Sequence, residues 1–362
     1  MSNECPKCSE YAEEGKTFCG ACGRSLTDDN SNEEHPAPAD VTRDKAPEKS
    51  QGGLAYIILL CATIFVIAIA IIEALALILN TGEIFNFLSD KATPLFLLLP
   101  FALILGYLSE AALQAYWLLI VTVLLSCVAA GVIKFITTLK ESKGAESGEA
   151  ENTAVFWICI FLSAMLLISY VVTVLTAALG SDVTTPDFGG KIEQMFLLAE
   201  AAFWEEIAVR LVLIGLPMML ISFVVTKKKE SLKCLFGGFG MSTSAVVLII
   251  VSGAIFGLAH YSGWDDQAWK VLTASIMGVF LGYLFVRFGL YASMLAHFIT
   301  NYLSAFNWLG IGVVEFFISI LLIVMGVLAL YYILKRLADS VPSINALPLF
   351  KNGYIKKDDN AP

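Results

Sequence analysis

Two adjacent glutamates and an arginine lie in an otherwise apolar stretch, FWEEIAVR, at residues 203–210. On an α-helix Glu206 and Arg210 are four residues apart with the acid first, which is the favourable order for an ion pair. Glu205 points about 100° away around the same helix, so Arg210 does not automatically neutralise it. Because a buried charge is costly without a partner or water, Glu205 is the candidate for acid–base chemistry.

Two of the three histidines of the chain occur in similar apolar settings. His260, in AIFGLAHYSG, follows Phe256 by four residues, and His297, in SMLAHFITNY, precedes Asn301 by four. These groups are tolerable on separate buried helices if they face one water-filled site. Such a site offers hydrolysis: Glu205 takes a proton from water, the histidines orient that water or bind a metal, and Asn301 donates to the oxyanion. The alternative is a polar network that only specifies helix packing.

The composition requires that these residues lie in membrane-spanning helices. Hydrophobic residues make up 57% of the 362 residues and charged residues only 15%, which excludes an ordinary soluble domain. Residues 94–108 are apolar but short, with Pro100 near their middle, so we expect them not to cross fully. With roughly twenty residues needed per crossing, the sequence predicts an all-α bundle of about eight spans, or nine if residues 94–108 cross. The predicted spans are 54–79, 111–139, 154–179, 195–226, 242–259, 268–288, 290–309 and 311–334.

The N-terminal segment carries four cysteines in the pattern CxxC, ten residues, CxxC, namely Cys5, Cys8, Cys19 and Cys22. Four thiolates at this spacing predict a closed tetrahedral zinc site, and two disulfides are the alternative. So short a segment cannot bury enough core to fold unaided, so the zinc would supply its folding energy. Residues 1–26 resemble the short zinc ribbons of many prokaryotic proteins, which suggests a cytosolic docking appendage for a protein partner.

Residues 27–53 are a predicted disordered, acidic linker between this ribbon and the first span. Residues 1–53 hold eleven acidic against six basic side chains, and the linker shows no apolar periodicity. This local excess accounts for much of the net charge of -9, and no nucleic-acid partner is expected.

Basic residues near span ends predict which ends of the bundle face the cytosol. Lysines at 140–143 and 227–233, Arg287, Lys335 and Arg336 alternate along the chain with acidic loops. We therefore expect the ribbon and the C-terminal tail, residues 337–362, on the cytosolic side. The ribbon and its short acidic linker are more typical of a prokaryotic protein, so we expect a prokaryotic cytoplasmic membrane.

Three motifs occur in order on successive predicted spans: EExxxR at Glu205, Glu206 and Arg210, then FxxxH ending at His260, then HxxxN starting at His297. Together they resemble the CAAX protease and bacteriocin-processing (CPBP, or ABI) family of intramembrane proteases. The resemblance covers about residues 190–305, inside a predicted protease core at 181–336 that follows N-terminal spans at 54–180.

The resemblance implies roles for individual residues. Glu205 would activate water with help from His260, His297 and Asn301 would stabilise the oxyanion, and Glu206 with Arg210 would be structural. A metal-independent glutamate mechanism is slightly favoured, although two histidines and a glutamate can also hold zinc.

The resemblance also implies an activity, which is cleavage of a membrane-anchored protein or peptide within the lipid bilayer. Eukaryotic relatives remove the last three residues of prenylated proteins. The alternative is a non-catalytic membrane adaptor or bacteriocin-immunity protein that docks partners through its ribbon.

Overall fold

The computed structural model describes residues 54–99, 101–141, 149–184, 186–227, 229–263 and 267–344. The predicted zinc ribbon, the acidic linker and the last part of the C-terminal tail lie outside these ranges.

Long apolar helices make up most of the described chain. Seven of its helices, counting α4 through α5 as one, are long and apolar enough to cross a membrane, which confirms a polytopic helical bundle. The helices are α1 (Leu54–Phe87), α2 (Glu110–Glu141), α3 (Ala154–Ala178), α4 (Lys191–Glu205), α5 (Leu216–Thr226), α6 (Thr243–Gly263), α7 (Ala268–Phe288), α8 (Leu290–Tyr302), α9 (Ala305–Trp308) and α10 (Gly312–Ile344). A π-helix (Glu206–Gly215) joins α4 to α5, and 3-10 turns occupy Leu88–Asp90, Glu149–Asn152 and Lys229–Phe236.

The predicted span at 290–309 is divided into two short helices. Helix α8 has 13 residues, so it is about 20 Å long and does not by itself match a hydrocarbon core of about 30 Å. Gly289 precedes it with φ of 100°, a conformation that favours glycine and lets the chain reverse between α7 and α8. Helix α10 continues to Ile344, so its end lies within the segment predicted as a tail.

The all-α prediction is wrong for the segment between α1 and α2. Strand β1 (Ala92–Leu99) pairs antiparallel with β2 (Phe101–Ser109), with a register shift between Leu95 and Phe96. Pro94 and Pro100 each remove a backbone donor and disfavour a continuous helix here. The hairpin docks on the bundle, because the indole Nε1 of Trp204 donates to the carbonyl oxygen of Phe96 (2.8 Å).

A polar layer around Glu151 joins the beginning of α1 to the last turns of α10. The backbone N–H of Ala150 donates to the Tyr56 hydroxyl (3.3 Å), and Arg287 Nη2 donates to the Glu151 carbonyl (3.0 Å). Arg336 forms an ion pair with the Glu151 carboxylate. The two ends of the described bundle therefore lie on one side, and the assignment of that side to the cytosol stays a prediction.

Helices α6 and α7 approach each other closely because glycines line their contact. A Cβ at Gly257 would lie 1.9 Å from Ser275 Oγ and 2.5 Å from the Val271 carbonyl oxygen. A Cβ at Gly278 would lie 2.8 Å from the Cα of Gly253. Small residues at such interfaces let membrane helices pack by van der Waals contact. Since His260 follows Gly257 by one turn, this contact also positions an imidazole.

We expect Gly257→Val to lower the free energy of unfolding by roughly 1–3 kcal/mol, because the added methyl groups would push α6 away from the α7 backbone. Thermal unfolding of the full-length protein in detergent measures this loss. Gly82→Val is the matched control, since Gly82 lies in α1 and a Cβ there meets nothing within 4 Å. Equal losses at both positions would contradict the close α6–α7 contact.

Candidate active site

The two adjacent glutamates lie where the helix geometry changes. Helix α4 ends at Glu205 and the π-helix begins at Glu206. A π-helix has wider i→i+5 hydrogen bonding, is rare, and often marks a functional site. Regular α-helical spacing predicted the Glu206–Arg210 ion pair. The pair forms although both residues lie in the π-helix, with Arg210 Nε 3.4 Å from Glu206 Oε2. Both side chains are fully buried.

Arg210 is held by groups from a second helix as well as by Glu206. Its Nη1 donates to Ser252 Oγ of α6 (2.9 Å), and its guanidinium lies 4.8 Å from the centroid of the Phe256 ring. These contacts tie the π-helix to α6 in the interior of the bundle, which agrees with a structural role for Arg210.

His297 lies between the two glutamates. Its Nδ1 is 3.0 Å from Glu206 Oε1, and its Nε2 is 3.8 Å from Glu205 Oε2. Because an ionised carboxylate only accepts hydrogen bonds, His297 Nδ1 carries the proton and donates to Glu206. The distance to Glu205 is too long for a direct hydrogen bond. Glu206 therefore binds both Arg210 and His297, and the second contact was not predicted from the sequence.

His260 is oriented by the backbone of its own helix. Its Nδ1 lies 2.8 Å from the Phe256 carbonyl oxygen, and since that oxygen only accepts, Nδ1 is the donor. The neutral imidazole then keeps a lone pair on Nε2. The buried ring of Phe256 contacts His260 and His297, with centroid distances of 4.7 and 5.9 Å.

His260, His297 and Asn301 line one cavity of about 130 Å³ between α3, α6, α7 and α8. Asn301 Nδ2 donates to the Leu198 carbonyl oxygen (3.1 Å), and the second hydrogen of this amide remains available. Glu205 is next to the cavity through His297, and its side chain is 21% exposed. The structure thus brings Glu205, Glu206, Arg210 and His297 into one cluster and places the imidazole of His260 and the amide of Asn301 at the adjoining cavity.

The α7 wall of this cavity was not predicted from the sequence. Lys270, Thr273, Ala274 and Met277 line it, at spacings of three, four and seven residues from Lys270. This spacing is one face of an α-helix, so a polar lysine and threonine on one stripe of an apolar segment were a usable signal.

Within the described ranges, no group of three or more His, Cys, Asp or Glu side chains could hold a metal ion. The active-site zinc that the sequence analysis left as an alternative to the metal-independent mechanism stays an expectation. The four ribbon cysteines lie outside the described residues.

Comparison with protein families agrees with the motifs. Residues 192–303 match the family model described as type II CAAX prenyl endopeptidase Rce1-like. The matched stretch contains all three motifs, and over this part of the chain the sequence is similar to that family. No curated protein and no solved structure matches the chain.

We expect Arg210→Met to lower the free energy of unfolding by about 3–5 kcal/mol, because it leaves the buried Glu206 carboxylate without its counter-ion. Arg336→Met is the control: Arg336 is 48% exposed in its pair with Glu151, and such pairs contribute about 0–1 kcal/mol. Denaturant unfolding in detergent compares the two variants. A loss at Arg210 no larger than that at Arg336 would contradict the structural role of the buried pair.

Proposed function

We propose that the protein is a glutamate-dependent intramembrane endopeptidase that hydrolyses a peptide bond in a membrane-anchored protein or peptide. The observation that carries this proposal is the position of His297, which contacts Glu206, lies near Glu205, and lines one cavity with His260 and Asn301. A network that only specified packing would not require a partly exposed carboxylate beside a polar cavity.

Glu205 is the proposed general base. It is the more accessible of the two glutamates, whereas Glu206 is fully buried and already bound to Arg210 and His297. Glu205 removes a proton from water, and the acceptor Nε2 of His260 helps to orient that water from the cavity wall. Glu205 then returns the proton to the leaving amine as the peptide bond breaks.

His297 and Asn301 are the proposed oxyanion-binding groups. Since Nδ1 of His297 donates to Glu206, donation from Nε2 to an oxyanion requires the imidazolium form of the ring. The free N–H of Asn301 adds a second donor to the developing oxyanion.

The proposed function is tested by comparing peptide termini in membranes that contain wild-type protein or Glu205→Gln. We expect Glu205→Gln to insert normally and to lose the cleaved termini, because an amide cannot accept the proton from water. Glu83→Gln, an exposed position in α1, is the control and should keep the wild-type termini. Unchanged termini with Glu205→Gln would overturn the catalytic assignment and favour the non-catalytic adaptor.

The N-terminal ribbon is proposed to bind structural zinc through Cys5, Cys8, Cys19 and Cys22 and to recruit a cytosolic partner. We expect the Cys19→Ser, Cys22→Ser double variant to lose bound zinc, because two thiolate ligands are removed. Elemental analysis of purified full-length protein measures the zinc. Cys61→Ser, at an exposed free cysteine of α1, is the control. Equal zinc content in the double variant and the control would contradict the ribbon.

A further inference from the structure

A second cavity lies where α3 ends and α7 begins. Its wall includes Thr176 in the last turn of α3, Ser181 and Asp182 in the following loop, and Gln267 and Trp269 around the start of α7. Its volume is about 510 Å³, which is within the range of ligand-binding pockets, about 300–1,000 Å³. Ser181 and Asp182 are exposed, so this second cavity opens to the surface of the bundle.

The second cavity continues the candidate active-site cavity along the contact between α3 and α7. Ser169 of α3 lines the active-site cavity, and Thr176, seven residues later, lines the second. Seven residues are two helical turns, so these two side chains share one face of α3 about 10 Å apart. On α7, Lys270 lines the active-site cavity and its neighbour Trp269 lines the second. The second cavity therefore lies directly beyond the candidate active site along the same two helices.

The second cavity and the Glu151 layer lie at opposite ends of the bundle. Helix α3 has 25 residues, so it is about 38 Å long, and it runs from just after Glu151 to the second cavity. Helix α7 runs the other way, from the second cavity to Arg287, which donates to the Glu151 carbonyl oxygen. The length of α3 exceeds a hydrocarbon core of about 30 Å, so the two ends face opposite surfaces of a membrane.

Basic residues collect at the Glu151 end of the bundle. Two arginines bind the Glu151 layer, and just after the 3-10 turn Lys229–Phe236 the N–H of Gly238 donates to the Phe285 carbonyl oxygen in the last turn of α7 (2.9 Å). The opposite end carries single lysines, namely Lys91, Lys191 and Lys270. An excess of Lys and Arg marks the cytosolic side of a membrane protein, so the second cavity is predicted to face the other side.

We propose that the second cavity is the entrance through which the substrate reaches Glu205, on the side of the membrane opposite the cytosol. This inference rests on the proposed peptidase function and on the predicted cytosolic position of the Glu151 end. The occupant is an extended segment of a membrane-anchored protein or peptide, whose backbone donors and acceptors match the polar wall formed by Thr176, Ser181, Asp182 and Gln267. Such a segment must first be moved across the membrane, so translocation is the class of reaction that supplies the substrate.

The test uses full-length protein in intact spheroplasts and a membrane-impermeant maleimide added from outside. Ser181→Cys places a thiol at an exposed position in the wall of the second cavity. We expect this thiol to react without permeabilisation. After the reagent is quenched, an isotope pulse marks newly formed peptide termini. The labelled variant should lose most of the new termini that the same variant forms unlabelled, because the adduct fills the entrance.

Two matched variants and the wild-type protein control for side and for position. Ser89→Cys is exposed just after α1, at the same end of the bundle but outside the second cavity, so it should react from outside and keep forming new termini. Lys140→Cys is exposed in the last turn of α2, shortly before the Glu151 layer, so it should react only after permeabilisation. Wild-type protein receives the same reagent, because its own cysteines set the background.

Two results would overturn the inference while leaving the peptidase intact. Reaction of Lys140→Cys but not of Ser181→Cys in intact spheroplasts would place the second cavity on the cytosolic side. Undiminished new termini from labelled Ser181→Cys would show that the substrate enters elsewhere. Glu205→Gln, followed in the same pulse, separates these results from failure of the proposed function: new termini that do not depend on Glu205 overturn both the function and the entrance.

Discussion

The fully buried carboxylate of Glu206 is the constraint on which the site depends. A charge in this environment needs compensating partners, and Glu206 has two, Arg210 on its own helix and His297 on α8. Arg210 in turn binds Ser252 of α6. Neutralising one acid therefore joins the π-helix, α6 and α8, which carry the three motifs except for Glu205, the last residue of α4.

The same arrangement places two neighbouring glutamates in different surroundings. Glu206 is bound by its partners, while Glu205, one residue earlier, remains partly exposed and lies 3.8 Å from the other nitrogen of the His297 ring. The π-helix starts between them, so the change in helix geometry coincides with this difference. Two identical side chains thus lie in different surroundings, one fully buried and paired and the other partly exposed.

Much of the fold was predictable from the sequence, because a long apolar run has few alternatives to forming a membrane-spanning helix. The ion pair of Glu206 and Arg210 was also predictable from its spacing. The hairpin at 92–109 was missed, since apolar runs of this length are ambiguous between helix and strand and depend on packing against residues such as Trp204. The contact of Glu206 with His297 depends on tertiary geometry, which local spacing does not report.

In the proposed mechanism, Glu206 influences catalysis through its contact with His297. A double-mutant cycle on the cleavage rate, with Glu206→Gln, His297→Asn and both together, tests this most directly. We expect a coupling energy of about 1–3 kcal/mol, because once His297 is absent Glu206 can no longer influence the imidazole, so the second substitution costs less than it does alone. Additive losses from the two substitutions would contradict it.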